Sequence, residues 1–231
     1  MPAERAELIL EELRSQANPD NVLGMQRYGI NPQGTLGLSM PALRRVARQI
    51  GVDHALALQL WDSGVHEARI LAGLVADPAR LTEAQMDAWA ADFDSWDVCD
   101  QVCSNLFDRS PLAVYKAVEW SRLDEPFVRR AAFVIMAALA VHDKRMPDEQ
   151  FEAFLVLIED SAYDDRNFVK KAVNWALRGI GKRNIRLNRL AIECAGRIHA
   201  QGSRSARWVA GDAQRELKSE KIQIKLAREN L

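Results

Sequence analysis

Phe127-Val128-Arg129-Arg130-Ala131-Ala132 returns 41 residues later as Phe168-Val169-Lys170-Lys171-Ala172-Val173. Ala206-Arg207-Trp208-Val209-Ala210 and Glu67-Ala68-Arg69-Ile70-Leu71-Ala72 are weaker echoes of the same pattern. Each copy opens a helical stretch with a large residue, follows with one or two cations and then turns to small side chains. Small residues let two helices approach closely, whereas the cations fall in the first turn, on the side away from the packed stripe.

Working outward, apolar residues recur at helical spacing almost everywhere, and no segment sustains strand-like alternation. Helices are expected over 3–16, 40–50, 53–61, 66–76, 82–91, 95–107 and 111–121. A second set is expected over 125–141, 147–160, 164–181, 184–199 and 203–218. Pro111 and Pro147 suit first-turn positions, and the Gly-rich stretch Tyr28–Ser39 is the one long irregular segment. A period near 40 residues made of two helices is that of HEAT and armadillo repeats. The expected fold is therefore an all-α superhelical solenoid of HEAT-like repeats. Residues 1–231 are expected to form one domain, with the second helices of the pairs lining a concave basic wall.

Composition bounds the function. The 231 residues carry 31 Lys and Arg against 32 Asp and Glu, a net charge of −1. The distribution is uneven: residues 1–160 hold 15 basic and 25 acidic side chains, whereas residues 161–231 hold 16 and 7. Such an excess either faces a polyanion or solvates outer helix faces, and by itself does not choose between them. No uninterrupted apolar run is long enough to span a bilayer, and the first residues lack the pattern of a signal peptide. The three cysteines do not suggest a disulfide framework, and cytoplasm is the expected compartment. Cys99 and Cys103 lie one turn apart, but His54, His66, His142 and His199 are scattered, so neither a metal nor a cofactor is expected. Phosphate-cradling glycine loops and the Gly-x-Ser-x-Gly nucleophile elbow are both missing, which argues against nucleotide hydrolysis and serine-hydrolase chemistry.

Three clusters carry chemistry. In Ser95-Trp96-Asp97-Val98-Cys99-Asp100, Trp96 and Asp100 are four apart and share a helix face. Asp97 is either a second carboxylate beside them or a helix-start residue answering the macrodipole. Arg130 sits in the first turns of its helix. Lys171, Trp175, Arg178 and Lys182 fall on one face as cation, indole, cation, cation. A tryptophan alone is more often core than contact, but flanking cations favour a nucleic-acid surface. Trp61, Trp89 and Trp120 read as packing residues, and Trp208, among Arg204, Arg207 and Arg215, is left open.

On Ser95-Trp96-Asp97 with Asp100, Arg129-Arg130-Ala131-Ala132 and Phe168-Val169-Lys170-Lys171-Ala172-Val173-Asn174-Trp175, the chain resembles the HEAT-like DNA glycosylases of the bacterial DNA alkylation repair family (AlkD-like). The similarity runs from about Met25 to Val209. The resemblance implies a C-shaped solenoid around double-stranded DNA carrying alkylated bases; a monomer without cofactor, metal or membrane is expected. It implies Asp100 as the catalytic carboxylate, Trp96 and Trp175 as the paired indoles and Arg130 as the active-site arginine. Tyr28, Arg129, Lys170, Lys171, Arg178, Lys182, Arg183 and Arg207 are the expected DNA contacts. Two positions depart from the family pattern: Ala138 stands where a further cation belongs, and Ser95 where an aromatic can occur. Because fold alone does not establish catalysis, a non-catalytic HEAT-repeat protein binding bent or branched DNA is the alternative. A protein-interaction solenoid is a third reading.

Overall fold

The computed structural model describes residues 2–228, all of whose regular structure is helical. The chain divides after Pro111 into two compact units. The first contains α1 (Pro2–Ser15), α2 (Pro19–Gln26), α3 (Met40–Ile50), α4 (His54–Asp62), α5 (His66–Val75), α6 (Glu83–Ala91) and α7 (Trp96–Asn105). The second contains α8 (Ala113–Trp120), α9 (Pro126–His142), α10 (Asp148–Ser161), α11 (Asn167–Gly181), α12 (Ile185–Ala200), α13 (Arg204–Leu217) and α14 (Glu220–Arg228). Among the described residues no helix is long and apolar enough to cross a membrane.

Local chemistry sets many of the boundaries. Asp53, Thr82, Asn184 and Ser203 each accept a hydrogen bond from the backbone N–H three residues on, capping α4, α6, α12 and α13. Pro126 opens α9, where a missing N–H costs nothing. Pro147 instead occupies the cap position of α10, and Pro111 lies two residues before α8 begins. The expectation for 40–50 coincides with α3. Two helices escaped the periodicity. Helix α2 buries none of its residues, so it has no apolar stripe to detect, and α14 buries only Ile222 and Leu226.

In the first unit α1 packs on α4, α3 on α5, and α5 lies between α4 and α7. Leu13, Leu43, Leu56, Leu71 and Val102 are fully buried in this core. Trp61 and Trp89 stack there with ring centroids 4.0 Å apart, and the Trp61 indole donates to Asp92 at 2.9 Å. In the second unit α9 runs along α11, and α11 in turn packs on α13. Small residues later in α9 and α11, outside the repeated hexapeptide, account for the closeness. Gly179 of α11 lies against Ala137 and Ala140 of α9, and a Cβ on Gly181 would come within 2.7 Å of the Leu217 side chain. Helix α9 is covered on nearly every side, with Phe133, Val134, Ile135, Met136 and Ala137 wholly inaccessible, as a helix flanked by neighbours must be.

Candidate functional site

Helix α7 presents the Trp96–Asp100 face, and three hydrogen bonds tie its start to the segment 28–31. Ser95 holds the cap position but does not cap; its buried Oγ accepts from the backbone N–H of Asn31 at 2.9 Å. The Asn31 amide donates to Asp94 at 2.6 Å, and the Trp96 indole N–H donates to the Tyr28 carbonyl at 3.0 Å. That bond is solvent-exposed, so it orients the half-buried ring toward the segment 28–39 without a burial penalty behind it.

Glu67 in turn fixes the segment 28–39. Its side chain is almost wholly buried, and its two oxygens accept from the N–H groups of Leu36 (2.8 Å), Gly37 (2.7 Å) and Leu38 (3.2 Å). Three convergent N–H groups are the kind of concavity that holds a carboxylate. Gly37 makes the close approach possible: its φ is +83°, and a Cβ there would lie 2.3 Å from the Asn18 carbonyl. The His66 N–H donates to the Gly34 carbonyl, and the His66 ring Nε2 meets the Asp97 carboxylate at 2.9 Å. Burial alone would lower the His66 pKa. The Asp97 hydrogen bond and charge, with Glu67 and Asp94 behind them, outweigh it and raise the pKa above the ordinary value. Asp97 is thus a partner for His66. A groove of about 580 Å3 opens beside Trp96, lined by Gly24, Met25, Tyr28, Ile30 and Leu38. Tyr28 is 76% exposed. The cysteines are buried and unpaired as disulfides; burial first, then its hydrogen bond with Cys99, pushes the Cys103 thiol well up, leaving it protonated and inert. Among the described residues there is no cluster of three metal-ligating side chains.

The second unit carries the remaining expected site residues. Counting from the first helical residue, Arg129, Lys170 and Arg207 occupy the fourth position of α9, α11 and α13, and Arg130, Lys171 and Trp208 the fifth. Their surroundings differ. Arg129 is buried between Ser161 (3.2 Å) and Asp164 (3.6 Å) and lies over the Tyr163 ring. Arg130 is buried too and donates to the Phe168 carbonyl at 2.5 Å, tying α9 to the next repeat. Lys171 and Arg207 are exposed, and Trp175 is half-buried. Arg178 pairs with Asp212 and Glu216, and Lys182 with Glu216 at 2.9 Å, so α13 neutralises the C-terminal half of the expected cationic face. Burial opposes ionisation of Glu216, but Lys182 and Arg178 lower its pKa overall. Arg183 is engaged in the fold: it donates to the Ala140 and Met146 carbonyls and covers the Phe151 ring. A phosphate contact from Arg183 requires those bonds to break.

Sequence reasoning missed Glu67, although a signal existed: a carboxylate stands where the copies at Phe127 and Phe168 carry an aromatic. It also left Trp208 open, which the structure places at the surface, whereas Trp61, Trp89 and Trp120 are buried.

No curated protein matches the chain in sequence. A solved protein described as one of "a new family of proteins related to the HEAT-like repeat DNA glycosylases with affinity for branched DNA structures" shares its fold, with a TM-score of 0.74 and 20% identity over 83% of this chain and 82% of that one. The all-helical architecture is accordingly of the HEAT-like repeat type. The sequence model of the DNA alkylation repair enzymes matches residues 9–217, nearly the whole length, and the chain belongs to that family.

Proposed function

We propose that this protein binds damaged duplex DNA and hydrolyses the N-glycosidic bond of purines alkylated at N3 or N7. The observation that carries the reading is the Trp96–Asp100 face of α7, whose half-buried indole donates to the Tyr28 carbonyl beside an open groove. An N3- or N7-alkylated purine is already cationic and leaves without a general acid. The C1′–N bond breaks with its electron pair going to the base, which departs neutral, and the sugar becomes oxocarbenium-like. A carboxylate held next to that sugar stabilises the growing positive charge, and an indole face does the same through its quadrupole. Water then adds to C1′ and passes its proton to Asp100 or to solvent, leaving an abasic site. Trp175 has the matching role implied by the family, against the sugar, whereas Arg130, buried and bonded to the Phe168 carbonyl, reaches a phosphate only if that bond breaks. Lys171 and Arg207 are the exposed cations suited to phosphates, which fix position without reading sequence.

The test is base release from methylated duplex. The unaltered protein is expected to free 7-methylguanine or 3-methyladenine. Asp100→Asn should slow release by roughly 10²-fold or more, the scale of losing one preorganised electrostatic group, while DNA binding survives. Undiminished release by that variant removes Asp100 from the chemistry.

A second reading, binding of bent or branched DNA without base removal, is favoured by two observations. Ala138 is buried within α9 where a further cation belongs, and the acids of α13 hold Arg178 and Lys182. The solved protein of the same fold is itself described by its affinity for branched DNA. Salt-sensitive binding with no base release by the unaltered protein selects this reading.

A further inference from the structure

We propose that Trp208, with Lys170, Lys171, Arg204 and Arg207 around it, is a stacking platform for an unpaired nucleobase at the end or branch of a DNA duplex. The proposal rests on the DNA-binding reading above and adds a ligand and a site to it. Trp208 is 42% exposed, whereas Trp61, Trp89 and Trp120 are at most 4% exposed in the core. Exposure of one large apolar side chain is ordinary by itself; what sets Trp208 apart is the ring of cations around it. The Lys170 ammonium lies 5.2 Å from the ring centroid and holds the indole from one side. Arg204 is one turn before Trp208 on the same face of α13, and Arg207 precedes it directly.

Charge decides what the ligand is. Lys170, Lys171, Arg204 and Arg207 form no ion pair among the described residues, although Arg178 in α11, Lys182 just past its end and Arg215 in α13 are paired with Asp212 or Glu216. Nearby acids are mostly engaged: Asp164 is held by Arg129 and Arg166, and Asp212 by Arg178 and Arg215, which leaves Asp165 exposed. Uncompensated positive charge therefore gathers at the N-terminal ends of α11 and α13, around one indole. The helix register sharpens the point. The fifth helical position is a cation in α9 and α11, and in α13 it is an aromatic ring. A ring cannot replace a cation at a phosphate, but its face accepts a base. Bases inside a duplex are already stacked on both faces. The base that reaches Trp208 is unpaired, and the surrounding cations hold the phosphates on either side of it.

The experiment compares affinity for a short duplex with and without a single-stranded flap, at one salt concentration, for the unaltered protein, Trp208→Phe and Trp208→Lys. The exposed position tolerates all three, which matched thermal melting will verify. The unaltered protein should prefer the flapped duplex. Trp208→Lys should weaken flap binding roughly 5- to 150-fold, the range for losing one base–aromatic stack, while binding the fully paired duplex at least as well as before. Trp208→Phe should keep most of the preference. If charge alone matters, Trp208→Lys will bind the flap as tightly as the unaltered protein, and the platform is refuted. An unaltered protein that binds paired duplex but shows no flap preference refutes it as well, leaving DNA binding intact. Failure to bind either DNA overturns both readings together.

Discussion

Replacing Glu67 by Gln tests whether a buried carboxylate, remote from α7 in sequence, positions the candidate catalytic face. The substitution preserves shape and removes one acceptor and the charge. Its remaining oxygen can stay with Gly37 and Leu38, which share one carboxylate oxygen in the native protein, but Leu36 N–H then faces an NH2 group. One charge-assisted bond is lost and one partly buried donor is left unmet, about 2–4 kcal/mol against the closed segment. On that basis hydrogen exchange at Leu36, Gly37 and Leu38 should accelerate roughly 30- to 1000-fold in Glu67→Gln where local opening governs exchange. A second readout follows from charge: Glu67 helps to raise the His66 pKa, so the histidine should titrate lower in the variant. Because Tyr28 in this segment holds the Trp96 indole, protection of that indole N–H should fall too, and base release should slow with Asp100 untouched. Glu67→Asp, too short to span the site, should resemble Gln. Unchanged exchange at Leu36–Leu38 in Glu67→Gln would refute the reasoning, because the bonds would then contribute nothing to closing the segment.

Other perturbations follow from the same geometry. Lys171→Ala should reduce the slope of log affinity against log salt by about 1, whereas Lys182→Ala, whose charge is spent on Glu216, should leave the slope nearly unchanged; equal effects would mean that α13 does not neutralise Lys182. Asp164→Asn leaves the buried Arg129 without its carboxylate and should cost about 3–5 kcal/mol in urea unfolding. Burial opposes ionisation of Asp164, but the hydrogen bonds and charge of Arg166, with Arg129, lower its pKa below the ordinary 3.8. Its stabilising effect is present above that value and is lost as pH falls through the folded pKa, so the variant should show a flatter acid limb. The raised pKa of His66 acts in the opposite sense. Its contribution is complete below the ordinary 6.5 and fades as pH rises through the folded pKa, and a His66→Gln variant should lose that dependence in pH-resolved unfolding.

Much of the architecture was legible without coordinates. The hexapeptide echo at 127 and 168 marked equivalent helices, and α9 and α11 do begin in equivalent register, at Pro126 and Asn167. Periodicity placed the helices that bury a stripe and failed for α2, which buries nothing. Pairing within α7 was legible as well, because positions four apart on a helix share a face whatever surrounds them.

The order of residues alone determined the helical class, the repeat, the positions of Trp96 and Asp100 on one turn, and the location of the basic excess. Those properties depend on local geometry and composition, which neighbours in the chain fix. Only the tertiary structure decided which cations are available. Arg129, Arg130 and Arg183 are taken up by carbonyls and a carboxylate distant in sequence, Arg178 and Lys182 by α13, while Lys171 and Arg207 are left exposed and Lys170 half-buried against Trp208. The same holds for Glu67, whose three N–H partners lie about 30 residues away. A side chain's charge is written in the sequence, but whether it is compensated depends on which groups folding brings within a few ångströms of it.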